Sequence, residues 1–148
     1  MHRATDRPFA ASLGLLLGLA LALAGCGGDS FEQWSVADTW TGTGQLYLID
    51  GTTPLGTLDE VFEFTQEGAE FTGTLTEQGF GATFRFTVSG KVSEDTFAMT
   101  WIGPDHCSPP GRYIGPATKI DDDTIQFVVR GSDCDGSFRV EGEIHRSR

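Results

Sequence analysis

From residue 40 onward, apolar and polar residues alternate singly, in runs that recur every dozen or so positions. Phe62 and Phe64, then Phe84, Phe86 and Val88, then Phe97, Met99 and Trp101, then Ile125, Phe127 and Val129 each fall on every second position. A period of two puts those side chains on one face of an extended strand, and no stretch of useful length carries the period of about 3.6 that would bury one side of a helix. The intervening positions hold Thr72, Thr74 and Thr76, or Thr83, Arg85 and Thr87. Such residues mark the wet face of antiparallel strands.

Eight runs can be traced, at 40–49, 60–66, 70–76, 82–89, 96–102, 112–120, 124–130 and 137–146, the sixth being the least distinct. The first places Trp40, Gly42, Gly44, Leu46 and Leu48 on one face. Short connections at 66–69, 90–95, 121–123 and 131–136 are built from Gly, Asp and other turn formers, which predicts sequential hairpins. A meander with one apolar face buries it, and loses its exposed edges, by closing on itself. The expected fold is therefore all-β, an antiparallel up-and-down meander of about eight strands forming a small barrel over 39–148. Its aromatic interior, poor in polar groups, predicts a filled core; a lipid or other greasy molecule would suit the interior if it were hollow.

Trp40 opens the first run and Arg146 closes the last. In this the chain resembles the calycin-type barrels, the lipocalin and avidin group, in which a Trp near the start of the first strand packs against a basic side chain from the last. The resemblance implies a contact between Trp40 and Arg146.

Ahead of the barrel, Arg3 and Arg7 precede an apolar stretch from Phe9 to Leu23, and small residues Ala24 and Gly25 follow. This is the three-part plan of a secretory leader, too short for a membrane span of roughly 20 apolar residues. Leu23-Ala24-Gly25-Cys26 resembles the lipobox of bacterial lipoproteins. The resemblance implies cleavage before Cys26, lipid attached to Cys26, and a protein held to a membrane outside the cytoplasm. With Gly27 after the cysteine, the sorting rule of enteric lipoproteins points to the outer membrane over the inner. Residues 1–25 are thus read as a signal peptide and 26–38 as a flexible tether of about 40 Å at full extension.

In that compartment disulfides persist, and two cysteines remain, Cys107 and Cys134. They are expected to pair, in preference to a metal pair or a nucleophile. In a meander the loops after odd-numbered strands lie at one end of the barrel, and Cys107 (103–111) and Cys134 (131–136) both fall there, as a disulfide requires. The tether enters at the opposite end, so the clasped loops face away from the membrane.

Removing residues 1–25, which carry Arg3, Arg7 and Asp6, changes the formal charge from −11 to −12. Such acidity argues against nucleic acid and against docking on anionic lipid. Asp105-His106-Cys107 has the residue types of a catalytic set, but a disulfide-bonded Cys is no nucleophile. His145 lies on the outer face of the last run, beside Glu143 and Arg146. Asp121-Asp122-Asp123 and Asp133-Cys134-Asp135-Gly136 offer carboxylates, yet turn chemistry explains both and neither has the ligand spacing of an EF-hand. No catalytic, metal or cofactor site is expected. The reading is a non-enzymatic envelope lipoprotein presenting its disulfide-clasped end to a partner. The alternatives are a lipocalin-like carrier of an apolar ligand and an inhibitor of a cationic wall-degrading enzyme.

Overall fold

The computed structural model describes residues 34–148. The expected leader, the lipobox, Cys26 and most of the expected tether lie outside the described residues. Alternation becomes eight strands: β1 (Asp38–Leu48), β2 (Gly56–Glu67), β3 (Glu70–Gly79), β4 (Ala82–Lys91), β5 (Thr96–Gly103), β6 (Gly111–Asp121), β7 (Thr124–Ser132) and β8 (Ser137–Arg146). Each pairs antiparallel with its neighbour in sequence, and β1 pairs with β8, so the sheet closes into a barrel. Every strand finds both partners within this segment, which makes the barrel a self-contained unit.

The inward positions are those the alternation assigned, with Phe62, Leu75, Val88, Met99, Trp101, Phe127, Val129 and Ile144 all buried. Two expectations are corrected. Leu48, the last residue of β1, is 54% exposed and not part of the core. The interior is also less uniformly apolar than expected: Glu60 and Glu77 point inward and are 1% and 4% exposed. The sixth run is indistinct because Gly115-Pro116 sits within it. Pairing of β6 with β7 lapses between Ile114 and Ala117, where Pro116 has no N–H to donate, and a bulge follows at Lys119–Asp121.

The end of the barrel where the chain enters is plugged. Residues 34–37, the last part of the expected tether, pack there: Val36 is fully buried, and Trp34 lies 6.0 Å from both Trp40 and Phe97. Gln66 holds this segment by accepting from Val36 N–H at 2.7 Å. The guanidinium of Arg146 stacks over Trp40 at 4.4 Å, the contact implied by the calycin resemblance. It also donates to the carbonyls of Ala37 (3.1 Å) and Ser35 (2.9 Å) and pairs with Asp38 at 3.2 Å. A planar fork on an aromatic face is a role Lys does not fill. Arg146→Ala is therefore expected to cost roughly 2–3 kcal/mol in urea denaturation, and Arg146→Lys to recover less than half of it.

Candidate functional site

The opposite end is different. The loops after β1, β3, β5 and β7 meet there, and Cys107 and Cys134 are joined by a disulfide with a Cα separation of 5.5 Å. Beneath these loops lies a cavity of ≈130 Å³. Its walls are aromatic and aliphatic: Phe84 and Phe86 from β4, Trp101 from β5, Tyr113 from β6, Phe138 and Val140 from β8, with Leu46 and Leu58 from β1 and β2. Phe80, Pro104, Asp133 and Asp135, from the loops at this end, complete the lining. The interior is thus filled through its middle and closed end, as expected, and open at the clasped end, where the expectation of a filled barrel fails. The difference arises because Gly44, Glu60 and Glu77 stand where large apolar side chains would fill the layer.

Phe80 is held in an unusual way. The β3–β4 hairpin turns on Phe80 and Gly81 with φ of 54° and 75°, the left-handed pair of a tight two-residue loop. Asn commonly takes the first of these positions, and a bulky residue there costs roughly 1 kcal/mol. The ring lies against Gly56, where an added Cβ would come within 2.6 Å of Phe80 Cζ, and it remains 61% exposed at the rim.

The polar groups are arranged in depth. Glu77 lies on the cavity wall, and Glu60, its direct cross-strand neighbour in the β2–β3 pair, sits behind it beside Gly44. Neither Glu60 oxygen, nor Glu77 Oε1, nor Trp101 Nε1 has a hydrogen-bond partner among the described residues. Burial, followed by the charge of Asp133, pushes the Glu77 carboxyl up to about 8. Burial, followed by Glu77, raises Glu60 well above the carboxylate range. Glu77 is therefore largely protonated at neutral pH, and burial favours the same neutral form of Glu60. At the mouth, Tyr113 donates its hydroxyl to Asp133 Oδ2, and Asp133 Oδ1 accepts from the N–H groups of Asp135 (2.8 Å) and Gly136 (3.2 Å). Burial and then the hydrogen bond to Asp133 raise the Tyr113 hydroxyl, which stays protonated. The disulfide fixes this polar rim, since Cys134 lies between Asp133 and Asp135.

The residues weighed for chemistry fall into place separately. His106 Nε2 meets Asp135 at 2.8 Å, while Asp105 turns to Arg85 at 3.9 Å, so Asp105-His106-Cys107 forms no catalytic relay. His106, Cys107, Cys134 and Asp135 converge within 4.8 Å, but with the two sulfurs bonded to each other only His106 and Asp135 keep free donor atoms, fewer than a closed zinc site uses. His145 is on the outer face, between Glu143 at 3.1 Å and Thr124 at 3.3 Å. Asp121 accepts from Asp123 N–H at 2.9 Å, and Asp122 pairs with Lys119 at 2.7 Å, which are turn and surface roles.

Fold and site together define a small closed β-barrel with a cavity opening at one end. No protein-family model and no curated protein matches the chain. Solved structures do. A redesigned β-barrel is 17% identical with a TM-score of 0.58, covering 76% of this chain and 91% of its own. The barrel EF1p2_mFAP2b bound to DFHBI is 14% identical with a TM-score of 0.63, covering 75% and 93%. A de novo designed fluorescence-activating barrel is 19% identical with a TM-score of 0.54, covering 78% and 95%. At these identities the likeness is one of fold.

Proposed function

We propose that this protein is a non-enzymatic, calycin-like binding barrel of the bacterial cell envelope, anchored through lipid on Cys26, that takes a small, largely apolar ligand into the cavity at its disulfide-clasped end. The observation that carries the reading is the cavity itself. An eight-stranded barrel is just wide enough to be filled or to hold one small ligand, and here one end is left unfilled beneath a rim braced by a disulfide. The volume suits a single ring, since apolar cavities of about 150 Å³ take up benzene. The other end, which receives the chain from Cys26, is closed by Trp34, Val36 and Arg146, so an anchor there would leave the mouth free. EF1p2_mFAP2b, a barrel of similar fold, is bound to DFHBI.

Native mass spectrometry of residues 27–148, secreted through an oxidising compartment, tests the reading. The expected result is a chain two hydrogens lighter than the reduced one, carrying an adduct that extracts into organic solvent or that toluene replaces. A bare chain that also takes up no toluene would defeat it. For the anchor, Cys26→Ala is expected to abolish palmitate labelling and release the protein from the membrane fraction; retention in that fraction would refute it.

A further inference from the structure

The cavity is lined by Glu77, Asp133 and Asp135, and among the described residues no Lys, Arg or His lines it. One step behind Glu77 is Glu60. The aromatic rings that line the same cavity belong to Phe84, Phe86, Trp101 and Tyr113. A purely apolar ligand would fill the space and leave Glu77 Oε1, the unpartnered oxygen on the cavity wall, without a partner, at about 1–3 kcal/mol for an orphaned buried group. A larger hydrophobic residue in place of Glu77 would avoid that cost. An organic cation answers both features at once. An ammonium group donates three hydrogen bonds, and aromatic faces attract a desolvated cation.

We propose that the cavity is a binding site for a small organic monocation, an amine carrying one apolar ring, whose ammonium is held by Glu77 while Trp101, Phe86 and Tyr113 enclose the rest. The proposal rests on the reading of the cavity as a ligand site and adds the charge of the ligand. Around Glu77 stand Glu60 from β2, Asp133 and Asp135 from the β7–β8 loop, the neutral hydroxyl of Tyr113 from β6 and the uncharged Phe84 from β4, while His106 of the β5–β6 loop does not line the cavity and pairs with Asp135 at 2.8 Å. None of the groups around Glu77 is a cation that would compete with the ligand. Glu77 is largely protonated in the free protein, so the incoming ammonium releases that proton to solvent and leaves an ion pair inside the barrel.

Isothermal titration of residues 27–148 with benzylamine, benzyl alcohol and toluene at pH 7.5 separates the possibilities, three probes of nearly one shape and different charge. Benzylamine is expected to bind at least tenfold tighter than the other two, with a binding heat that changes with the ionisation heat of the buffer, as proton release requires. Glu77→Gln is expected to abolish the preference for benzylamine while leaving toluene binding intact, which shows that the variant is folded. If toluene and benzyl alcohol bind as well as benzylamine, or if Glu77→Gln keeps the preference, the cavity is a ligand site but the cation proposal is wrong. If none of the three binds, both the proposal and the reading beneath it fall.

Discussion

The barrel is expected to melt at a lower temperature at pH 8 than at pH 5, by roughly 10 °C or more. Glu77 ionises near 4.5 in the unfolded chain and near 8 in the barrel. Between those values the folded state keeps a proton that the unfolded state has lost, so stability is highest at low pH and falls as pH rises towards 8. At about 1.4 kcal/mol per unit, the three units from pH 5 to pH 8 amount to about 4 kcal/mol from Glu77, an upper figure because water entering the cavity would relieve part of it. Glu60 is raised for the same chief reason, burial, and acts in the same direction. Differential scanning calorimetry of the parent and of the Glu60→Gln/Glu77→Gln double variant checks this. The double variant should show a much flatter profile and be the more stable of the two at pH 8. A parent whose melting temperature is the same at pH 5 and pH 8 would contradict the burial of these carboxyls, and an unchanged slope in the double variant would assign the effect to other groups.

Loss of the disulfide is expected to have an effect of similar size by a different route. Cys107 and Cys134 are 27 positions apart, and in the chain-entropy account closing a loop of that length restricts the unfolded state by roughly 3–4 kcal/mol. The bond joins two loops, 104–110 and 133–136, that otherwise meet mainly through His106 and Asp135. The Cys107→Ser/Cys134→Ser variant should therefore lose that stability in urea titration. It should also lose protection from hydrogen exchange at the N–H groups of Asp135 and Gly136, which Asp133 holds. Equal stability of the oxidised protein and the double Ser variant would mean that the bond neither constrains the unfolded chain nor braces the rim.

Much of this was legible in the residues. Alternation located the strands to within a few positions, and strand parity alone placed Cys107 and Cys134 at one end. The same parity was available for Glu60, two positions before Phe62, and for Glu77, two after Leu75. Polar residues near strand ends are easily assigned to loops, however, and Glu60 opened its expected run while Glu77 fell just past the end of its own. Trp34 and Val36 were hidden for a related reason: they belong to a polar, glycine-led segment, and only the geometry of the barrel mouth they plug gives them something to pack on. The cavity was not legible at all. It depends on which side-chain volumes share a layer, and the layer that joins Gly44 to Glu60 and Glu77 is set by the stagger of the strands around the barrel rather than by any run of sequence.

The seam between β1 and β8 has a kinetic meaning of its own. Every other pairing in the barrel joins strands adjacent in sequence and can zip from its hairpin turn, whereas Trp40 must find Arg146 across nearly the whole domain. Closing that loop carries an entropic penalty that the seven hairpins do not, so the seam is where a slow folding step would be concentrated. The start of β1 and the end of β8 also meet there, Ser147 N–H donating to the Thr39 carbonyl at 2.8 Å. Rejoining them with a short linker and cutting the chain in the 49–55 loop would keep every pairing of the barrel, turn β1–β8 into an ordinary hairpin and move the long-range closure to β1–β2, on the wall that carries Glu60.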